Sequence, residues 1–192
     1  MAGMSYSYDV FISYRRSPAQ ARDWTQHVLY PTLRTWLENE LNLKPEQIFI
    51  DTEHLSDNGL PWPPKLREAI LGSKVLVAVL SPQYFESDWC RTELYSMLER
   101  QQRTGGRCVY LLQVFDGDCY PPEIHVRSPA DLSKYATLNR RYLPQRGWDE
   151  RCKKMANELK GLLAQAPPYD PDAPIVAHGD ATRLFPKPEY PE

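Results

Sequence analysis

The segment from Val75 to Leu80 carries an aliphatic side chain at every position. A strand with one face in water alternates apolar and polar residues, whereas an uninterrupted apolar run indicates a strand that is covered on both faces. The run is far too short to span a bilayer. It therefore predicts the central strand of a parallel sheet that has helices on both faces.

Shorter apolar segments and helical patterns alternate on either side of this run. Such alternation predicts an α/β fold, a parallel sheet of about five strands joined by right-handed crossovers. The other predicted strands are Tyr8–Ser13, Gln47–Ile50, Cys108–Phe115 and a short edge strand at Glu123–Val126. The predicted helices are Ala19–Leu41, which Pro31 should bend or split, a short helix containing Leu66, Ala69 and Ile70, the helix Trp89–Arg103, and a last helix containing Trp148, Cys152, Met155, Leu159 and Leu162.

The character of the chain changes near its carboxyl end. Seven of the 26 residues from Pro167 to Glu192 are proline, and no apolar periodicity continues there. We therefore expect one domain over residues 1–165, followed by a proline-rich tail or linker over residues 166–192 that buries little surface.

Composition excludes several classes of function. The chain has 23 Lys and Arg residues against 25 Asp and Glu residues, which argues against a dedicated nucleic-acid or acidic-membrane surface. The start of the chain has no signal-peptide pattern, and the four cysteines show no CxxC spacing, so we expect a cytoplasmic protein with reduced thiols. The four histidines are scattered without ligand spacing, which argues against a metal site.

Polar side chains follow three of the predicted strands. They are Ser13 to Arg16 after the first strand, Asp51 to Asn58 after the second, and Ser81 after the apolar run. In open parallel sheets, ligands collect at the carboxyl ends of the strands. This edge is therefore the predicted functional site.

Trp89 and Glu93 lie just beyond the same edge, four residues apart at the start of a predicted helix. Residues at this spacing are about 40° apart around a helix, so both lie on one flank of the apolar stripe of Leu94, Met97 and Leu98. A carboxylate beside an aromatic face can hold a ring and stabilise positive charge. The alternative is structural: Glu93 compensates the helix dipole, and Trp89 staples the first turn.

Three segments, in order and at the right separations, resemble the Toll/interleukin-1 receptor (TIR) domain family. Tyr8–Arg16 resembles its first signature box. Phe49–Asp51, with the loop Leu55–Gly59 and Trp62, resembles a strand followed by the BB loop of that family. Val77–Leu94 resembles its third strand and its Ser-x-Trp-Cys-x-x-Glu-Leu helix.

The resemblance covers roughly residues 6–164 and implies a flavodoxin-like fold. Members of the family divide between assembly modules without catalysis and enzymes that cleave NAD+ at the nicotinamide–ribose bond. The enzymatic members carry a glutamate at the position of Glu93, and the Trp-x-x-x-Glu spacing from Trp89 is similar to that of prokaryotic members. The resemblance thus implies an NAD+ glycohydrolase or cyclase that needs no cofactor, with Glu93 catalytic; a non-catalytic interaction module is the alternative. A nucleotide binder without turnover has less support, because no phosphate-binding glycine loop is present.

The remaining roles depend on this resemblance. Trp89 would wall the pocket, and Arg15 or Arg16 would pair with the pyrophosphate, although two solvated loop arginines are an equally good interpretation. Ser13, Ser81 and Tyr14 are further candidates for substrate contact, but serines at strand ends are commonplace. Asp51 is expected to cap the BB loop, and Cys90 to belong to the core. Other TIR domains are the implied partners, with the BB loop as the interface through Asp57, Asn58, Gly59 and Leu60.

Overall fold

The computed structural model describes residues 5–17, 19–51, 64–115, 120–121, 124, 126–139 and 143–176. Five strands form one parallel sheet in the order β2-β1-β3-β4-β5. The predicted parallel α/β sheet of about five strands is confirmed. The strands are β1 Tyr8–Tyr14, β2 Ile48–Ile50, β3 Ser73–Leu80, β4 Val109–Gln113 and β5 Ala130–Asp131.

The aliphatic run lies in β3, at the centre of the sheet. Its residues alternate between two hydrophobic clusters, one on each face of the sheet. Val75, Val77 and Val79 belong to the first cluster, and Leu76, Ala78 and Leu80 to the second. All six side chains are fully buried, as expected for a strand covered on both sides.

The helices form the two outer layers. Helices α1, α2 and α5 contribute to the first cluster, and α3 and α4 to the second. Single 3₁₀ turns precede β2 and α4 and follow β5. The helices are α1 Ala19–Trp24, α2 Tyr30–Leu41, α3 Pro64–Leu71, α4 Asp88–Thr104 and α5 Gln145–Ala164.

The first helical segment is divided just before Pro31, which lies in the first turn of α2. A π-helical turn, Thr25–Leu29, joins α1 to α2, and the Tyr30 N–H donates to the Thr25 carbonyl. Proline has no N–H to donate, and its ring crowds the carbonyl four residues earlier. The wider π turn directly before Pro31 accommodates this and keeps the helical path continuous.

Helix α4 has a defined start and end, close to those predicted. Its N-cap is Ser87, whose hydroxyl accepts a hydrogen bond from the Cys90 N–H at 3.3 Å. Its last turn ends at Gly105, which has a left-handed conformation with φ of 68°. The helix is thereby fixed at the carboxyl end of β3, with Trp89 and Glu93 in its first two turns.

The edge strand is not where the sequence pattern placed it. Ile124 is fully buried in a helical conformation and Val126 lies in a turn, so the predicted strand Glu123–Val126 is wrong at these two positions; Glu123 and His125 lie outside the described residues. The edge strand is β5, where the Leu132 N–H donates to the Gln113 carbonyl at 2.7 Å. A two-residue strand leaves too little alternation to be found in a sequence.

The first part of the proline-rich tail packs on the domain. The Tyr6 hydroxyl donates to the carbonyls of Pro167 and Pro168 at 3.0 and 3.2 Å, and the Tyr6 and Tyr169 rings meet edge to face. Farther along, Ala173 is buried, and the Val176 N–H donates to the Ser96 hydroxyl of α4 at 2.9 Å.

For residues 167–176, these contacts correct the expectation that the tail buries little; residues 177–192 lie outside the described residues. The whole stretch 89–98 of α4 is buried, including its outer face, and residues 173–176 supply part of that cover. An irregular segment has no periodic pattern of apolar residues, so the sequence does not indicate that it packs on the domain.

Among the described residues, no helix combines the length and the apolar character needed to cross a bilayer. The cysteines Cys90, Cys108 and Cys152 are buried, which places Cys90 in the core as predicted.

Candidate functional site

The carboxyl ends of β1, β2 and β3 meet the first turns of α4. Ser13 and Tyr14 end β1, Asp51 follows β2, and Ser81 follows β3. The predicted clustering of polar groups at this edge of the sheet is therefore present in the fold, and Glu93 lies on the helix that covers it.

Glu93 is held by a hydrogen bond from β1. The Ser13 hydroxyl donates to Oε2 of Glu93 at 2.6 Å, and only 6% of the Glu93 residue surface is exposed. A hydroxyl donor orients a carboxylate without neutralising its charge, in contrast to an arginine or lysine. The structure thus brings together Ser13 and Glu93, which are 80 residues apart in the chain.

A second hydroxyl extends this contact. The Tyr84 hydroxyl lies 2.7 Å from Ser13 Oγ and also 3.2 Å from the Cys90 carbonyl. The single proton of Ser13 is engaged with Glu93, so Tyr84 is the donor when it bonds to Ser13. Complete burial, with the nearby Cys90 and Glu93 adding to it, holds the pKa of Tyr84 well above its usual value. Tyr84 therefore remains a protonated donor.

Sequence reasoning missed Tyr84. It lies in the 3₁₀ turn Pro82–Glu86 between β3 and α4 and is fully buried. A buried tyrosine normally finds a partner for its hydroxyl, so a tyrosine in a turn that ends at the site was the available signal.

Arg16 and Trp89 form the other side of the site. The guanidinium carbon of Arg16 lies 5.7 Å from the centre of the Trp89 ring, and Arg16 also pairs with the Asp51 carboxylate. Asp51 thus fixes an arginine side chain, in addition to any capping role. A guanidinium over an indole, with an aspartate beside it, is confined in both position and orientation.

Tyr14 supports the same corner. Its hydroxyl donates to the Asp51 carbonyl and accepts a hydrogen bond from the Gln26 amide at 2.6 Å. Burial is the main cause that raises the pKa of Tyr14. The phenol is therefore neutral at physiological pH and serves to position Asp51.

The other predicted site residues are Ser81, Arg15 and the residues of the BB loop. Ser81 is buried, and its hydroxyl has no hydrogen-bond partner among the described residues. Arg15 is half-buried, and its role stays a prediction. The BB-loop residues Asp57, Asn58, Gly59 and Leu60 lie outside the described residues.

A family model described as "TIR domain" matches residues 10–143. A 67-residue stretch, 35% of this chain, is 40% identical to the disease resistance-like protein CSA1 of Arabidopsis thaliana. A 101-residue stretch, 53% of this chain, is 28% identical to the probable disease resistance protein RPP1 of the same plant. The matched stretches span only 5% and 8% of those two relatives.

The solved structures that resemble this chain include the TIR domains of the activated Roq1 resistosome, which directly recognises the pathogen effector XopQ. The similarity has a TM-score of 0.43 at 24% sequence identity and covers 79% of this chain and 84% of that one.

Proposed function

This chain belongs to the TIR domain family, and we propose that it cleaves the bond between nicotinamide and ribose in NAD+, with Glu93 as the catalytic carboxylate. The observation that carries the proposal is the buried Glu93 side chain, oriented by Ser13 at the carboxyl edge of the sheet and one helical turn from Trp89. Family membership supports the substrate, and the geometry supports the choice of residue.

Cleavage of NAD+ requires only one catalytic carboxylate. The bond between C1′ of the ribose and N1 of nicotinamide breaks, both electrons leave with the nitrogen, and nicotinamide departs neutral. Glycosidases need a second carboxyl group to protonate a leaving oxygen, and that requirement is absent here. Water then attacks C1′ and loses a proton, which gives ADP-ribose, nicotinamide and H⁺.

Glu93 would stabilise the transition state electrostatically. Positive charge passes from the pyridinium to the ribose ring as the bond breaks, and a fixed carboxylate in a water-poor site lowers the energy of that charge. Preoriented groups of this kind contribute about 10²–10³ in rate. Attack by a hydroxyl of the substrate itself, in place of water, would give a cyclic product from the same intermediate.

Trp89 and Arg16 would bind the two ends of the substrate. The indole offers an aromatic wall for a ring. The Arg16 fork matches phosphate oxygens, so a bound pyrophosphate would share the guanidinium with Asp51 or displace that carboxylate. The Ser81 hydroxyl is buried with its hydrogen-bonding capacity unused by described residues, which makes it a further donor for substrate. Arg15 completes the proposed set of substrate-binding residues, and Tyr14 contributes indirectly by positioning Asp51.

Self-association is proposed as the means of activation. The family resemblance suggests a head-to-tail array, in which one subunit supplies Glu93 and the next supplies the BB loop at Asp57–Leu60. Specific activity should then rise with protein concentration. A TIR module that only assembles, without catalysis, remains the alternative. The names of the two plant relatives support a role in defence, and we propose that this role is exercised in the cytoplasm.

Incubation of the concentrated protein with NAD+, followed by chromatography, tests the proposal. Nicotinamide should be released by the wild type, whereas Glu93→Gln should release at least about a hundredfold less, because the amide keeps the shape and loses the charge. Glu99→Gln is the matched control: it lies on the same helix, in an exposed ion pair with Arg103. A Glu93→Gln protein that keeps more than a tenth of wild-type turnover would contradict the assignment of Glu93. A wild type without turnover at any concentration would favour the assembly module.

A further inference from the structure

A cleft of about 630 Å³ lies beside β4, and none of the described residues that line it belongs to the group around Glu93. It exists because β5 is short. Strand β4 pairs with β3 from Val109 onward, but β5 pairs only with Leu112 and Gln113. In the described part of the chain, the edge of β4 at 109–111 therefore faces an open space between α4 and α5.

The cleft carries an excess of positive charge. Three segments that are separate in the sequence contribute the cationic side chains Arg107, Arg127, Arg151 and Lys154. The carboxylate among the lining residues is Glu158, which accepts a hydrogen bond from the Tyr110 hydroxyl and lies 3.7 Å from Lys154.

Three of these cations lack a direct carboxylate partner within the described residues, although Arg151 also interacts electrostatically with Asp131, which is not among the lining residues. Arg107, Arg127 and Arg151 form no ion pair in the part of the chain that the structure describes, whereas Arg16, Arg34 and several other cations do. The Arg151 Nε is buried without a hydrogen-bond partner among the described residues, which leave that donor unused. Concave sites with an excess of one sign of charge concentrate ions of the opposite sign.

We propose that this cleft binds a small phosphorylated metabolite that carries a ring, of the nucleoside diphosphate class. Guanidinium groups match phosphate oxygens in pairs of hydrogen bonds, and several of them suit a group with more than one negative charge. The volume falls in the range of about 300–1,000 Å³ that small-molecule sites occupy, well above what one phosphate needs. Val109, Tyr110 and Ala130, all half-buried, add apolar surface for the ring. The site is independent of the reaction proposed for Glu93.

Gly161 allows the cleft to be filled without damage to the fold. It lies within α5 and lines the cleft, and a Cβ added there would meet no atom within 4 Å. Residues with side chains also favour a helix over glycine at such a position. Gly161→Phe should therefore occupy the space where a ligand would lie, and Gly161→Ala is its control, with a side chain too small to block it.

Calorimetric titration of the full chain with ADP tests the proposal. We expect one site per chain, and Gly161→Phe and Arg151→Gln should each raise the Kd about tenfold or more, as loss of contacts to a charged group does. Gly161→Ala should leave the Kd within about twofold of the wild type. Arg146→Gln should do the same, because Arg146 lies on the same helix but is exposed and pairs with Glu150.

Four results would overturn the proposal. The first is the absence of ADP binding at millimolar concentration. The second is equal weakening by Arg146→Gln, which would indicate diffuse attraction to a basic surface. The third is loss of binding in Arg16→Gln but not in Gly161→Phe, which would place ADP at the Glu93 site. The fourth is pyrophosphate binding as tight as that of ADP, which would remove any role for the ring.

Discussion

The hydrogen bond from Ser13 to Glu93 can be tested by two variants and their combination. Ser13→Ala deletes the donor 2.6 Å from the Glu93 carboxylate, and Tyr84→Phe deletes the hydroxyl 2.7 Å behind it. If Tyr84 acts on Glu93 only through Ser13, its hydroxyl should matter when Ser13 is present and cease to matter when Ser13 is absent.

The size of the effect follows from the kind of bond. A hydrogen bond to a charged group contributes about 1.5–3 kcal/mol, and a neutral one about 0.5–1.5 kcal/mol. With about 1.4 kcal/mol for each factor of ten, Ser13→Ala should lower the kcat for NAD+ cleavage about 10–100-fold. Tyr84→Phe should lower it about 2–10-fold by the same conversion. The double variant should be no slower than Ser13→Ala alone.

The KM for NAD+ and the thermal stability separate positioning from a general loss of structure. Positioning of a catalytic group should change kcat more than KM. Ser13→Ala removes a hydrogen-bond donor from a buried carboxylate oxygen. The loss should lower the free energy of unfolding by about 1–3 kcal/mol and the Tm by several degrees. Tyr84 keeps the Cys90 carbonyl as an acceptor in that variant. Tyr120→Phe, which removes another buried hydroxyl bonded to backbone carbonyls, is the control for stability.

Additive losses in kcat would refute this reasoning. If Tyr84→Phe slows the Ser13→Ala protein as much as it slows the wild type, Tyr84 acts on the site by another route. If Ser13→Ala retains at least half of the wild-type kcat, the bond to Glu93 does not position the carboxylate for the reaction.

Three further predictions concern the tail, the core and assembly. A chain that ends at Ala166 should have a melting temperature several degrees below that of a chain that ends at Val176, because it loses the contacts with Tyr6 and the segment that covers α4. Equal melting temperatures would show that residues 167–176 add no stability. Burial raises the pKa of Cys108 to about 11, so mass spectrometry should find Cys108 unlabelled by iodoacetamide in the folded protein at pH 8 and labelled in denaturant. The contribution of the neutral thiol to the stability of the fold should be lost as the pH rises from about 9 through about 11. Rapid labelling of the folded protein would contradict the burial of Cys108. Mixing Glu93→Gln with Gly59→Pro should restore part of the NAD+ cleavage that each variant lacks, and a mixture without activity would mean that the site is built within one chain.

The sequence alone was sufficient for the architecture. The run in β3 is apolar at every position, and only a strand between two layers of helices buries all six side chains. The apolar positions of α5, from Trp148 to Leu162, recur at helical spacing and are buried as predicted. Such apolar patterns predict strands and helices reliably, because many residues in one segment follow the same spacing. The weaker signals failed where the segment was short, as at β5, or irregular, as in residues 167–176.

The sequence also indicated which edge of the sheet carries the candidate site, because the carboxyl ends of parallel strands lie together in any such fold. It did not indicate which side chains touch. Ser13 and Tyr84 are 71 residues apart, and their contact depends on how far the turn after β3 carries the tyrosine back over β1. Likewise, the sequence leaves open whether Arg16 faces solvent or Trp89. In the folded chain, the ion pair with Asp51 holds Arg16 over the Trp89 ring. Local periodicity determines which face of a helix or strand is buried. The partners of a polar side chain depend instead on packing between elements that are distant in the chain. Only the tertiary structure therefore decides which polar side chains contact one another.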